Sequence, residues 1–432
     1  MTALNPTALN PTTPFNNVIP SYPLYNQFYS GQCCNPCNRD PLYNGQLGNG
    51  QIGNGQIGNG QLGNGQPNPC KDLCPLKSFC DPGLATTCNP RPIVDPSGPR
   101  RAVTTWRVNF LVSNRSALAA HSDTNLVNPW GIVIYNNQLW ISNNASDSIT
   151  NYDIYGNKLL AVISVRDAVH NSSHPTGIVV NCESGFNVTS GSSTRAALFI
   201  SCTEHGTVHA YNPNVDPLDS FLVLNQQLTG LTTVFKGLAV ANNTLYLADF
   251  FNARIEVFDS TFNRLTGFHF IDGDTIDPIP IDYAPNNIVR IGCFLYVLYA
   301  RKDINVTVHD WDGPGHGFVS VFGFDGSFIR RFTSRGVLNS PWAMIPAPCE
   351  CGFPPGSFLI GNNGDGRINI FDCNGKYVGP MLNMSGFPIS IDGLWGLAPL
   401  YAEFNQIFFT ASADEDTEGL VGSITKDQII YL

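Results

Sequence analysis

Charged side chains are scarce, 13% of 432 residues, and bases are scarcer than acids, 23 against 33. The net charge of −10 argues against nucleic-acid binding through bulk charge, which draws on a dense Lys/Arg field that releases counterions. Long apolar runs are missing as well. The longest, such as residues 293–300, fall far short of the roughly 20 needed to cross a bilayer, so no membrane span is expected. Residues 1–20 contain no base and no apolar stretch and do not read as a classical signal peptide, which leaves an intracellular site open. What is abundant is turn-forming: 41 Gly and 31 Pro beside 43% hydrophobic residues disfavour helix bundles and coiled coils and favour many short strands.

Composition changes near residue 100. The first hundred residues hold 15 of the 31 prolines and 7 of the 13 cysteines, and net +1, leaving −11 for the rest. Within this head Thr2-Ala3-Leu4-Asn5-Pro6 repeats at once as Thr7 to Pro11, and a Gly-Asn-Gly-Gln-Leu/Ile pentad cycles over residues 44–66. Five copies would close little more than one coil of a β-solenoid, so a flexible spacer fits better. Cys33, Cys34 and Cys37 precede the spacer, and Cys70, Cys74, Cys80 and Cys88 follow it. Two chemistries compete for them. Zinc would need two close pairs, and Cys34 with Cys37 and Cys70 with Cys74 come near this, but the head has no histidine. Disulfides suit a Pro-rich segment without an apolar core of its own, and an odd count of seven leaves one thiol for a partner chain. Residues 1–100 are therefore expected to be a disordered or disulfide-stapled head that serves self-assembly or attachment to protein partners.

The remainder repeats. Six turns precede six short apolar strands: Asn128-Pro129-Trp130-Gly131, His174-Pro175-Thr176-Gly177, Val234-Phe235-Lys236-Gly237, Ala284-Pro285-Asn286-Asn287, Ser340-Pro341-Trp342-Ala343 and Asp392-Gly393-Leu394-Trp395-Gly396. Intervals between the glycine-equivalent positions are 46, 60, 50, 56 and 53 residues, the size of one four-stranded propeller blade. The spacing predicts an all-β fold, a six-bladed β-propeller over residues 106–432. After its third strand, at residues 420–424, too little chain remains for an outer strand of the sixth blade. Residues 106–113 are expected to supply that strand from the other end of the chain, with 108–111 paired into the blade of Leu397 and Phe408.

Residues 244–259, 361–372 and 391–396, with the opening His121-Ser122-Asp123-Thr124-Asn125 through Gly131, resemble an uncharacterised family of bacterial propeller proteins related to NHL-repeat propellers. The likeness covers residues 108–424 and implies six blades without an established activity. The Cys- and Pro-rich head lies outside it and resembles the heads of surface-fibre proteins of giant DNA viruses. That second resemblance implies an extracellular or virion-surface setting.

Ligands of propellers usually meet the loops around the axis. Polar residues that the register places there are His121, Asp123, Asn125, Asn143, Asn144, Glu204, His205, Asp249, Asn252, Asp303, His316, Asn362 and Asp365. Asp and Asn at strand ends also cap turns, which is their commoner use. Asp249, Asn287, Asp365 and Asp392 could converge on a divalent cation, Ca or Zn, and would then make a metal-dependent hydrolase or lyase acting at the axial face. Against this, no His-x-His, Gly-x-Ser-x-Gly or phosphate-binding glycine loop is present, and no cofactor is required. The function expected is a non-catalytic binding or structural scaffold, displayed or assembled through the head. Sequons at Asn114, Asn144, Asn171, Asn187, Asn242, Asn305 and Asn383 permit glycans. Among the remaining cysteines, Cys373 is expected near Cys349 or Cys351, whereas Cys182 and Cys202 sit at opposite ends of one blade and should not pair.

Overall fold

Close approach at an axis explains the glycine that four of the six turns place at the same position. In the computed structural model, which describes residues 102–431 apart from 168–171, 231, 304, 307, 349–352, 355, 401–405 and 415, a Cβ on Gly131 would lie 2.8 Å from the Ile178 nitrogen. On Gly177 it would lie 2.6 Å from Leu238, on Gly237 1.9 Å from Asn287, and on Gly396 2.6 Å from the Trp130 carbonyl. Each of these glycines therefore faces the innermost strand of the next blade. The innermost strands are Pro129–Tyr135, Pro175–Val180, Phe235–Ala241, Tyr283–Ile291, Pro341–Pro346 and Leu394–Leu400. Blades four and five carry Asn287 and Ala343 at the equivalent positions, and the side chain of Asn287 takes the space that Gly237 leaves open.

A second feature recurs once in every blade. The loop entering the innermost strand is stapled to the loop leaving the second strand by one backbone bond: Asn144 to Asn128 (2.8 Å), Glu204 to His174 (3.0 Å), Phe250 to Val234 (2.9 Å), Lys302 to Asp282 (2.7 Å), Asn363 to Ser340 (3.0 Å) and Ser412 to Gly393 (2.9 Å), the first-named residue donating its N–H. These staples fix both sets of loops on one axial face.

The blades stack through six apolar layers, one between each neighbouring pair. Val208, Ala210, Leu238 and Leu247 belong to the layer between blades two and three, and Val112, Ile132, Leu139, Ala398 and Phe408 to that between six and one. The existence of this last layer means that the ring is closed. Its covalent break is sealed as expected, because Ala102–Ser113 pairs antiparallel with Leu420–Tyr431, with Val108 opposite Ile424. The sealing strand is longer than residues 106–113 and also takes two short parallel neighbours, His121–Ser122 and Leu382–Asn383.

Blade three departs from the four-stranded expectation. It has three strands, Phe235–Ala241, Thr244–Asp249 and Arg254–Asp259. After a brief pairing of Leu265 with Val257, residues 266–282 carry Asp272, Asp274, Asp277, Pro278 and Pro280, a composition that cannot sustain a ladder. Phe268 and Phe270 of this segment pack on the layer between blades three and four instead. Blade two carries an additional hairpin, Asn187–Ser190 with Ser193–Ala196.

Residues 1–101, with their seven cysteines and the 44–66 spacer, lie outside the described residues, as do Cys349, Cys351 and Asn171. Of the described cysteines, Cys182, Cys293 and Cys373 are disulfide-bonded, and Cys202 is buried and free, in line with the expectation that Cys182 and Cys202 do not pair. Asn187, Asn242 and Asn305 are exposed, Asn114 and Asn383 partly so, whereas Asn144 is buried and its amide is engaged.

Burial also shapes the acid stability of blade two. His209, in the third strand, is 1% exposed, and desolvation pushes its imidazole down to about 4 from 6.5, against the pull of Asp167 and Asp147. The unfolded chain protonates this residue near 6.5 while the folded chain keeps it neutral, so stability is full above that pH and falls toward pH 4. The limiting loss is roughly 3 kcal/mol at 1.36 kcal/mol per pH unit. His209→Gln is expected to flatten this part of the stability curve, measured as urea midpoints between pH 7 and 4.5; parallel curves for both proteins would contradict the assignment.

Candidate functional site at the propeller axis

The position before each close-approach point contributes one axial residue per blade: Trp130, Thr176, Lys236, Asn286, Trp342 and Trp395. All six are buried. Trp130 and Trp395 stack with centroids 3.5 Å apart, and Trp342 stands edge-on to both at 6.3 and 5.9 Å. Three of the ring side chains donate hydrogen bonds across blades. Thr176 Oγ1 donates to the Phe235 carbonyl (2.8 Å), Asn286 Nδ2 to that of Pro341 (3.2 Å) and Trp342 Nε1 to that of Lys236 (3.0 Å). The indoles and their partners thus plug the axis.

Lys236 is the one charge in the ring, and it is 2% exposed. Its ammonium lies 2.7 Å from Asp310 Oδ1, 4.1 Å from the centre of the Phe250 ring and 5.8 Å from that of Trp130. Asp310 comes from the long connection between the second and third strands of blade four, which folds inward over the axis. Burial opposes ionisation of Asp310, but the Lys236 charge outweighs it and holds the carboxyl below its ordinary value. Other carboxylates stand around this pair. Partial burial and the neighbouring Asp310 raise Asp312, and partial burial with Glu204 raises Asp416.

Two buried polar atoms of the ring, Asn286 Oδ1 and Trp395 Nε1, have no hydrogen bond from the described residues, while the Ser340 hydroxyl stands beside the carboxylates of Asp310 and Asp312 and helps to hold both ionised. The two ring atoms give the floor one donor and one acceptor, and the rim is anionic, a combination suited to recognising hydroxyl-rich or cationic groups. The Cys202 thiol is pushed up to about 12 by burial, and among the described residues no three His, Cys, Asp or Glu side chains are grouped to hold a metal ion.

The expected site residues divide. Asn143 donates to Ser148 Oγ and Thr150 Oγ1, Asp249 accepts from Asn252, Asp303 accepts from the Asn305 N–H, and Asp365 accepts from Asn362 and the Arg367 N–H. These are turn caps. Asn252 adds a bond to the Thr232 carbonyl, Asn287 donates to that of Trp342, and Asp392 is exposed. Glu204 accepts from Asn144 Nδ2, and His205 lies edge-on to His174 at 5.0 Å. His121 and Asp123 line a recess of about 280 Å³ built from the outer strands of blades six and one, where Asp123 pairs with Lys158 (2.7 Å) and accepts from Asn125 and the Tyr152 hydroxyl. Burial opposes ionisation of Asp123, and these bonds, led by Lys158, nevertheless hold it below its ordinary value. His316 lines a separate groove on blade four. Lys236 was not singled out from sequence, although it occupies the position held by tryptophan in three of the other turns.

No family model matches the chain. It is 66% identical to "Uncharacterized protein L690" of Acanthamoeba polyphaga mimivirus over 363 residues, 84% of this chain and 97% of that protein. It is 64% identical to "Uncharacterized protein R648" of the same virus over 362 residues, 84% of this chain and 90% of that one. Among solved structures, a protein of unknown function from Bacteroides thetaiotaomicron shares 11% identity over 76% of this chain and 77% of its own, with a TM-score of 0.47. The chain belongs to the family of these mimivirus proteins.

Proposed function

We propose that the chain is a non-catalytic binding and scaffold protein of a giant-virus particle, carried or assembled through its Cys-rich head. The observation that carries this reading is the axial floor. The place where a propeller enzyme would draw its substrate is filled by three packed indoles and an ion pair in which Lys236 keeps the Asp310 carboxylate ionised. An enzyme needs a group that can exchange a proton or a bond, and Lys236 and Asp310 are spent on one another. The relatives match over a stretch longer than the propeller, so part of the head travels with it. Disulfides at Cys182, Cys293 and Cys373 suit an oxidising or particle-surface setting, and the exposed sequons at Asn187, Asn242 and Asn305 leave room for glycans.

Full-length protein electrophoresed without reductant is expected to run as disulfide-linked multimers, and a variant beginning at residue 102 as monomer. Metal analysis of the same preparations is expected to find no stoichiometric divalent ion. Monomer in both samples with one Ca or Zn per chain would overturn the proposal in favour of a metal-dependent hydrolase or lyase at the axial face.

A further inference from the structure

A groove of about 440 Å³ on blade four shares no lining residue with the axial floor. Pro280, Tyr283 and Pro314 form its apolar sides, and Asp282, Arg301, His316 and Arg335 its polar ones. We propose that this groove binds a sugar acid, with Arg301 and Arg335 taking the carboxylate and Asp282 accepting from a ring hydroxyl.

The argument begins with the two guanidiniums. Arg301 Nε donates to Asp282 Oδ2 at 2.7 Å, and its Nη1 lies 3.4 Å from His316 Nε2. His316 Nδ1 is 2.8 Å from the Trp311 carbonyl, so Nδ1 carries the proton and Nε2 accepts from Arg301. Stacking of Arg301 over Trp311, 5.0 Å from the ring centre, completes its positioning. Arg301 Nη2 has no partner among the described residues. Arg335 lies 4.9 Å over the Phe318 ring and spends one nitrogen on Asp277 at 3.2 Å, which leaves its Nε and Nη1 unpartnered among the described residues. Two oriented guanidiniums with spare N–H groups suit an oxyanion.

Asp282 then selects among oxyanions. Its Oδ1 receives no hydrogen bond from the described residues, and a carboxylate on the groove wall repels a dianion while favouring a ligand that brings O–H donors. A single negative charge beside several hydroxyls meets both demands. The proline and tyrosine sides offer apolar contact to the C–H face of a sugar ring, and the volume accommodates a small ligand of that kind.

Full-length protein would be titrated calorimetrically with D-glucuronate, D-glucose and inorganic sulfate. Glucuronate is expected to bind at least about tenfold more tightly than either of the others, and Arg301→Ala and Arg335→Ala each to weaken it about tenfold or more. Both arginines are partly exposed, so the two variants are expected to keep the parent melting temperature within a few degrees. Equal affinity for glucose, sulfate matching glucuronate, or unchanged affinity in both folded variants would each overturn the proposal. None of these outcomes bears on the axial floor or on multimers formed through the head.

Discussion

Removal of residues 102–113 is expected to abolish folding of the propeller rather than trim it. The strand spans the whole length of Leu420–Tyr431, from Ala102 opposite Tyr431 to Ser113 opposite Leu420. Without it a twelve-residue edge stands open, an invitation to pair with other chains. Its core contribution is large as well. Trp106 is 2% exposed and stacks on Phe353 at 4.6 Å, and Val112 is fully buried between blades six and one. With partly buried Val108 and Leu111, at about 1.5 to 3 kcal/mol for each well-buried side chain, the loss approaches 5 to 10 kcal/mol. That equals the whole stability of many domains. The deletion variant is expected to be recovered only as aggregate, and Trp106→Ala to lose about 3 to 5 kcal/mol in urea unfolding. A soluble deletion variant with a cooperative melt close to that of the parent would refute this account of ring closure.

Six blades could be read from sequence because the axis imposes a local demand. Where innermost strands meet, Gly131, Gly177, Gly237 and Gly396 have no room for a Cβ, and that constraint recurs at the period of the fold. Closure was legible for a similar reason, since the sixth blade ran out of chain while residues 106–113 had no other partner. Blade three was misread because the register of its inner strands says nothing about whether residues 266–282 go on to pair. The site was less visible. Asp249, Asp303 and Asp365 carry the residue types of a binding face, yet their oxygens are taken by amides two or three residues away. The bond from Lys236 to Asp310 spans 74 residues and two blades, and nothing local in either segment announces it. It exists only once the ring has closed and the blade-four connection has folded inward.

That bond carries the other large expected effect. Lys236→Ala would leave Asp310 with a side chain only 9% exposed and no counter-charge. Breaking one half of a buried pair typically costs about 3 to 5 kcal/mol, because the remaining charge must be desolvated without compensation. The contacts of the ammonium with Phe250 and Trp130 would be lost as well. Asp310 is held below its ordinary value of 3.8 in the folded protein, so the pair stabilises above that pH and its contribution disappears as acid protonates the carboxyl. Lys236→Ala should reverse the direction, raising the Asp310 pKa through burial, so the variant is expected to be least stable relative to the parent near neutrality and to approach it below pH 4. The double variant Lys236→Met, Asp310→Leu removes both charges at similar volume and is expected to recover most of the loss. Urea midpoints for the parent and both variants at pH 7 and pH 3.5 would decide the matter. A single variant within about 1 kcal/mol of the parent at pH 7 would mean that water reaches the pair and that the axis is not sealed.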